Sequence, residues 1–254
     1  MPNGRKTERT ATYTAPALEK GLGILELISS ASYPMNLSDI SLGVGRAKSE
    51  IFRMVYVLER LRYVERVEGT DGYVLTNRLF LLGMQRPPLN ELLEIALPRM
   101  RKLCEDTLQS CHLVVPSDQY TVIIARADSP GDLGLAVRIG HRRPLLQATS
   151  GLVLTAFQPE AVRARWLQQY GKRLAPGDRE ELPQKLESIR AKGHAAIASS
   201  IVPGIVDISA PILRGGLAVA ALTIPYLPLS EGGVPQQEAV KSLGKAAAEL
   251  SKKL

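Results

Sequence analysis

The sequence contains three histidines and two cysteines, whose side chains can bind a metal or act as nucleophiles or bases. They are His112, His141, His194, Cys104 and Cys111. None of the histidines lies in an HExxH motif or beside a second ligand at metal-binding spacing. Cys111 directly precedes His112, and neighbouring side chains of a strand point to opposite faces, so the two cannot form a nucleophile–base pair. These residues therefore indicate neither a metal site nor a catalytic dyad.

Three further patterns of catalytic or cofactor-binding chemistry are missing. ATSGLVL lacks the G-x-S-x-G of a hydrolase nucleophile elbow, and GVG at 43–45 is too short for a phosphate-binding loop. Gly131, Gly134 and Gly140 do not stand between a strand and the start of a helix, which is the context that a phosphate-binding glycine motif requires. The sequence predicts a protein that is not an enzyme and that uses no cofactor.

The most informative chemistry lies in GRAKSEIFRMVYVLERLRYVERV, residues 45–67. Its polar residues stand at the start of a predicted helix and are Arg46, Lys48, Ser49, Glu50 and Arg53. The residues predicted to form the buried face are Ile51, Val55, Leu58 and Leu61. Lysine and arginine bind phosphate, an arginine can fork onto guanine O6 and N7, and a carboxylate can accept from cytosine N4. The same charges also suit an amphipathic helix with a solvated face.

The surrounding elements favour the DNA-contacting interpretation. A helix is predicted at 17–30, and Asn36 with Asp39 three residues later indicates a capped second helix. YVERV, the turn GTDG and YVL predict a hairpin, in which Arg66 is a further candidate DNA contact. Three helices and a hairpin in about seventy residues describe a winged helix-turn-helix, whose recognition helix needs a buried back and a polar front.

The whole chain sets the remaining bounds. Its 254 residues suffice for roughly two domains, and 45% apolar with 22% charged residues is typical of a globular protein. No segment approaches a membrane span, and MPNGRKTERT lacks the apolar centre of a signal peptide, so we expect a cytoplasmic protein. A net charge of +7 is compatible with an anionic partner.

The second half of the chain predicts an α/β or α+β domain. Residues 89–109 form an apolar-striped helix, interrupted at Pro98, that is suited to link domains and to dimerise. Predicted strands cover 111–115, 120–125, 133–140, 195–200, 204–213 and 217–227. Predicted helices cover 158–170, 178–193, opened by Asp178 and closed by Gly193, and 235–254. Strands gathered in a sheet and covered by helices form a domain suited to sensing a ligand.

Five collinear segments resemble the IclR family of bacterial transcriptional regulators over about residues 17–253. They are LEKGLGILELISS, LSDISLGVGRAKSEIFRMVYVLERLRYVERV, GYVLTNRLFLLG, GHRRPLLQATSGLVLTAF and RAKGHAAIASSIVPGIVDISAPIL. The resemblance implies a winged helix, a linker helix, a GAF-like effector-binding domain, and dimers that commonly pair into tetramers. Lys48, Ser49 and Arg53 match the recognition helix of the family, whereas Glu50 stands where the family more usually has threonine.

The resemblance also implies a cavity beneath QATSGLV, walled by GIVDISAPIL and AALTIPYL. The matching candidate effector-binding residues are Thr149, Ser150, Gly151, Asp207 and Thr223. The family often has a small residue at Asp207 and a serine pair around Thr223, so the chemistry of this cavity has diverged. Since burying a carboxylate is costly without a partner, Asp207 is either an inward ligand contact or an outward surface acid.

The boundaries predicted from these features are a disordered basic tail at 1–15, a winged helix at 16–85, a linker helix at 86–109 and an effector-binding domain at 110–254. The predicted function is operator binding modulated by a small metabolite, an organic acid or an aromatic catabolite. The predicted partners are double-stranded DNA, the effector and a second copy of the chain. The alternative is a metabolite-binding protein or enzyme whose winged helix binds another protein.

Overall fold

The computed structural model of the protein describes residues 15–84, 87–229 and 233–254. These residues form two compact units, which divide between Pro87 and Pro88 and are called here the N-terminal and C-terminal domains. The predicted tail at 1–15 lies outside the described residues except for Ala15. No helix within the described ranges is long and apolar enough to cross a membrane.

The N-terminal domain consists of helices and one hairpin. Its elements are α1 (Pro16–Ser30), α2 (Leu37–Val44), α3 (Lys48–Arg60), β1 (Val64–Arg66), β2 (Tyr73–Leu75) and α4 (Arg78–Met84). Strands β1 and β2 pair antiparallel, with Glu65 opposite Val74. The predicted winged helix-turn-helix is the observed fold of this domain.

Local signals fix both ends of α2. The Asn36 Oδ1 atom accepts the backbone N–H groups of Ser38 and Asp39 at 2.8 and 3.0 Å, and the Asp39 carboxylate accepts the Asn36 N–H at 3.2 Å. This is the predicted capping of α2. Gly45 ends the helix with φ 67°, a left-handed conformation that glycine adopts without strain.

The core of the N-terminal domain is aliphatic and holds α3 by its back. Its most buried members are Ile24, Ile40, Ile51, Val55 and Val64. The prediction for Leu61 was wrong, because this residue is 44% exposed. Since Leu61 follows the last residue of α3 and Arg62 turns the chain at φ 60°, its side chain no longer follows the buried helical face.

The C-terminal domain is built on one antiparallel sheet of six strands. Its elements are α5 (Pro87–Thr107), β3 (Cys111–Ser117), β4 (Tyr120–Ala127), β5 (Arg142–Pro144), α6 (Thr149–Ala156), α7 (Glu160–Tyr170), α8 (Pro176–Lys192), β6 (Ala195–Ala198), β7 (Val206–Arg214), β8 (Leu217–Tyr226) and α9 (Gln236–Ser251). The strand order is β5-β4-β3-β8-β7-β6. The predicted α/β or α+β class is thereby confirmed, and the antiparallel pairing makes the domain α+β.

Helices cover both faces of this sheet because its strands are apolar on both sides. One core joins α5 and α9 to side chains such as Leu113, Ile208 and Leu222. The other joins α6 and α8 to Val114, Ile123 and neighbouring residues. The period of two along each strand sends alternate residues to the two cores, and part of the second face remains open as a cavity.

Three predicted elements differ from the structure. Residues 133–140 form no strand, because the edge of β4 pairs instead with the short strand β5. Helix α5 continues through Pro98 without a break, although an interruption was predicted there. Its apolar stripe is buried in the core and stabilises the helix. Helix α8 begins at Pro176, before Asp178, since proline suits the first turn of a helix, and it ends at Gly193 as predicted.

Candidate functional site

The exposed face of α3 carries most of the predicted DNA contacts. Lys48, Ser49 and Arg53 are exposed and lie within its first two turns. The helix has no side-chain cap at Ala47, and its start carries the positive end of the helix dipole. These features suit an anion at the start of α3.

Arg46 and Arg66 extend this exposed face beyond α3. Arg46 lies in the turn between α2 and α3, where its backbone N–H donates to the Ser41 carbonyl at 3.0 Å. Arg66 ends β1 in the wing, and its guanidinium lies 6.0 Å from the centre of the Tyr73 ring. Both side chains are exposed. Arg46 lies in the turn before α3, and Arg66 lies in β1.

Glu50 differs from its predicted role as a base-reading carboxylate. Its side chain is half-buried and accepts a hydrogen bond from Lys20 on α1. This contact holds the pKa of Glu50 below its usual value, and the charges of Lys20, Arg46 and Arg53 act in the same direction. A DNA base would have to compete with Lys20, so Glu50 joins α3 to α1.

The C-terminal domain contains a cavity of about 320 Å³ between its sheet and the start of α6. This volume lies at the lower end of the range for small-molecule sites. Apolar side chains form much of its wall and include Val114, Ile123, Leu135, Val137, Ile201 and Pro225. A larger hollow of about 560 Å³ follows α8 and β6, but its wall carries the exposed charges of Glu181, Lys185 and Lys192.

The structure brings four of the five predicted effector-binding residues onto the wall of this cavity. They are Thr149, Ser150, Asp207 and Thr223. Asp207 therefore lies on the inward face of β7. The Thr223 and Ser209 hydroxyls hydrogen-bond to each other at 2.9 Å, which satisfies two polar groups in the centre of the sheet.

Gly151 does not line the cavity, which corrects its predicted role of allowing close approach to a ligand. A Cβ atom at this position would lie 1.8 Å from the backbone oxygen of Leu145. The glycine is required because the first turn of α6 packs directly on the 3-10 turn Leu145–Gln147. The close approach is thus between two backbone segments of the protein.

The sequence interpretation missed several polar residues of the cavity wall, among them His112, Thr121, His141 and Arg143. The alternation of side chains along β3 could have predicted that His112 faces the cavity. Cys111 faces the opposite core, with its Sγ atom 3.5 Å from that of Cys104, so His112 must face the cavity. Arg143 lies in β5 and His141 directly precedes this strand, which was not predicted, and the pairing of β5 with β4 brings both to this wall.

Asp207 lies in a mixed electrostatic environment. Burial raises the pKa of its carboxyl, whereas hydrogen bonding from Ser199 and the positive charge of Arg143 lower it. The Arg143 guanidinium also donates to the Ser200 hydroxyl at 3.1 Å and to the Gln147 carbonyl at 3.4 Å. A cation is thereby anchored between Asp207 and the segment that leads into α6.

Each of the two domains matches a known protein family. Residues 89–252 match the profile described as "Bacterial transcriptional regulator IclR C-terminal", and residues 17–68 match "IclR helix-turn-helix domain". The chain belongs to the IclR family. Its N-terminal domain is accordingly a DNA-binding domain, and the protein is a transcriptional regulator and not an enzyme.

Individual IclR-family proteins resemble the chain over nearly its whole length. The "HTH-type transcriptional regulator KdgR" of Dickeya chrysanthemi is 29% identical over 91% of this chain and 77% of its own. The "p-hydroxybenzoate hydroxylase transcriptional activator" of Acinetobacter baylyi is 26% identical over 87% of this chain and 84% of its own.

Solved structures give the same fold. An IclR homologue from Microbacterium hydrocarbonoxydans, crystallised with 4-hydroxybenzoate, superposes with a TM-score of 0.79 at 24% identity, covering 94% of this chain and 98% of its own. An IclR regulator from Alicyclobacillus acidocaldarius gives a TM-score of 0.75 at 26% identity, covering 95% and 99%. The likeness extends over both domains.

His112 of this IclR-family chain is buried, and its burial lowers the pKa of the imidazole to about 4, with a further contribution from the charge of His141. A neutral imidazole therefore lines the cavity at neutral pH. Within the described residues, no group of three or more His, Cys, Asp or Glu side chains is arranged to hold a metal ion.

We expect the stability of the C-terminal domain to fall as the pH drops from about 6.5 towards 4, because the unfolded chain binds a proton at His112 that the folded chain does not. Asp207 acts in the opposite direction, since its raised pKa favours protonation in the folded state. Urea unfolding of the parent and of His112→Gln at pH 7.5 and pH 5 isolates the histidine, and the variant should lose less stability between the two pH values.

His194→Gln is the matched control for this experiment, because that imidazole lies outside the cavity beside the Lys192 carbonyl. It should retain the pH dependence of the parent. An identical pH dependence in His112→Gln and the parent would contradict the assignment of a neutral, buried His112.

Proposed function

We propose that this IclR-family regulator binds its operator through α3 and the wing, and that a small hydroxylated or aromatic acid in the cavity sets its affinity for DNA. The observation that carries this proposal is the cavity itself, which combines apolar walls with an anchored cation, a carboxylate and a neutral histidine. Such a combination suits a small ligand with an acidic end and a hydrogen-bonding end.

The proposed DNA contacts divide by role. Arg53 lies on the exposed face of α3, where its guanidinium can donate two hydrogen bonds to a guanine. Lys48 and Arg46 lie at the start of α3 and suit phosphates, as does Ser49, while Arg66 extends the contact to the wing. Glu50 is left out of the proposed base contacts because Lys20 holds it.

The proposed effector lies with its carboxylate towards the start of α6 and its hydroxyl towards Asp207. Ala148 gives α6 no side-chain cap, and Thr149 and Ser150 begin the helix on the cavity wall. Arg143 adds a positive charge near this end. A second carboxylate beside Asp207 would be repelled, whereas a hydroxyl can donate to it. The 4-hydroxybenzoate bound by the Microbacterium homologue is one molecule of this type.

We propose that the regulator acts as a dimer, through α1 and the linker helix α5, and that two such dimers pair. Leu18 and Leu22 lie on adjacent turns of one face of α1 and are 63% and 51% exposed, so they offer an apolar surface that a second copy can cover. The apolar stripe of α5 is largely buried within its own domain, so α1 offers the more accessible surface. A two-fold dimer requires a palindromic operator, with half-sites about 34 Å or a multiple apart.

The effector alters DNA binding only if it prefers one of two conformations of the dimer. A ligand with equal affinity for both would shift nothing, however tightly it bound. The proposed mechanism is a shift between arrangements of the paired winged helices, biased by occupation of the cavity.

Asp207→Asn should change the effector concentration that gives half of the maximal response, while operator binding without effector stays at the parent value. The substitution removes the charge that accepts the proposed hydroxyl and keeps the shape of the side chain. The measurement is fluorescence anisotropy of labelled operator DNA, titrated with a panel of hydroxylated organic acids and aromatic acids.

Asp132→Asn serves as the control, since this exposed carboxylate lies outside the cavity. It should respond to effector like the parent. A dose response of Asp207→Asn that coincides with both would remove Asp207 from the binding site.

A further inference from the structure

Two aromatic rings lie on the exposed face of α3, although the helix has an aliphatic back. Phe52 and Tyr56 are 54% and 56% exposed. Their rings stack with centroids 6.5 Å apart and an angle of 25° between the planes. Neither ring contributes to the core of the N-terminal domain, so stability of the monomer does not explain their presence.

The surroundings of this pair are cationic. Arg53 directly follows Phe52, and Lys48 lies one turn before it on the same helix. A protein partner with an apolar surface would have to bury these positive charges at a cost, whereas DNA neutralises them. The charge pattern therefore favours a nucleic acid as the molecule that covers Phe52.

The apolar group that a major groove offers to a protein is the C5 methyl of thymine. A phenylalanine in the groove can contact this methyl, and the contact distinguishes thymine from the other bases. Phe52 and Tyr56 lie four residues apart, which is about 6 Å along a helix, close to two base-pair steps of roughly 3.4 Å each. The Tyr56 ring stacks beside that of Phe52 and is placed to limit its orientations.

We propose that Phe52 determines operator specificity by contacting the C5 methyl of one thymine in each half-site, with Tyr56 as the positioning residue for its ring. This inference rests on the proposed insertion of α3 into the major groove. It adds an apolar base contact to the polar contacts proposed for Arg53. The operator should therefore require a thymine within about two base pairs of the guanine that Arg53 reads.

The test replaces each thymine of the operator, one at a time, by deoxyuridine, which removes only the methyl group. The operator is first obtained by selection from random duplexes with the full-length parent protein. For the parent, one substitution per half-site should weaken binding about fourfold, the effect of losing one buried methyl contact. Anisotropy titrations at one fixed salt concentration give the dissociation constants.

Variants then assign the effect to Phe52. Phe52→Ala should bind the thymine and deoxyuridine operators equally, and Phe52→Leu should recover part of the discrimination. Lys48→Ala should weaken binding to both operators and keep the full methyl effect, because its proposed contact is a phosphate. Thermal melting checks that the exposed substitution leaves the fold intact.

The possible outcomes distinguish a failure of the thymine contact from a failure of the proposed function. A parent protein that selects no DNA sequence overturns the proposed function. A parent that binds a defined operator but tolerates every deoxyuridine, or a Phe52→Ala variant with undiminished discrimination, overturns the thymine contact alone. A Phe52→Ala variant that changes the oligomer mass and leaves DNA discrimination intact would assign the rings to a protein interface and likewise overturn it.

Discussion

Gly151→Ala should destabilise the C-terminal domain by about 3 kcal/mol or more, although the substitution adds one methyl group to a helix. Its Cβ atom would lie 1.8 Å from the Leu145 oxygen and 3.0 Å from the Thr121 side chain. The first of these neighbours is backbone, so α6 or the preceding turn must move. Urea unfolding followed by circular dichroism measures the loss.

Gly244→Ala is the matched control, because a Cβ atom at this glycine of α9 meets no atom within 4 Å. Alanine is the better helix former, so this variant should be more stable by about 0.5–1 kcal/mol. The two glycine-to-alanine substitutions should thus have opposite signs. A Gly151→Ala variant as stable as the parent would contradict the tight packing of α6 on residues 145–147.

Arg53→Ala should weaken operator binding by roughly 1–3 kcal/mol and relax the base preference at one position of each half-site. Lys48→Ala should weaken binding to all sequences alike and lower the salt dependence by about one phosphate contact. The different patterns follow from the proposed contacts with a base and with a phosphate. The measurement is anisotropy on the selected operator, its single-base variants and a random duplex at several salt concentrations.

Arg60→Ala controls for the loss of one positive charge on the same helix, since Arg60 ends α3 about 10 Å along the helix axis from Arg53. It should change specificity far less than Arg53→Ala. Unaltered operator binding in both the Arg53 and the Lys48 variants would show that α3 does not contact the DNA as proposed.

The N-terminal domain was predictable in detail because its signals are local. Asn36 and Asp39 are three residues apart and cap a single helix end, and Gly45 closes the same helix. The two strands of the hairpin and the turn between them lie close together in the sequence, so their pairing is also a local feature. By contrast, the Glu50 contact with Lys20 joins residues thirty positions apart, and the helical pattern of α3 alone cannot show which partner a carboxylate takes.

The cavity was predictable only in outline. The resemblance to the family indicated five residues, and the wall contains Thr149, Ser150, Asp207 and Thr223 but not Gly151. His141 and Arg143 reach it through the pairing of β5 with β4, which the sequence does not specify, whereas the alternation of side chains along β3 could have placed His112 there. Residues 133–140 have a strand-like composition, yet Leu135 and Val137 line the cavity, because the neighbouring β5 occupies the edge of β4. The tertiary pairing of β5 with β4 therefore overrides the local strand preference of residues 133–140.

The most direct test of the account is the affinity of the parent protein for its selected operator, measured by anisotropy with and without hydroxylated acids, 4-hydroxybenzoate among them, and with unsubstituted benzoate for comparison. We predict that at least one hydroxylated acid changes the operator affinity by about fivefold or more, and that Asp207→Asn weakens this response. An operator affinity that no acid of the panel changes, while the protein binds its operator specifically, would contradict control of this regulator by a small acid in the cavity.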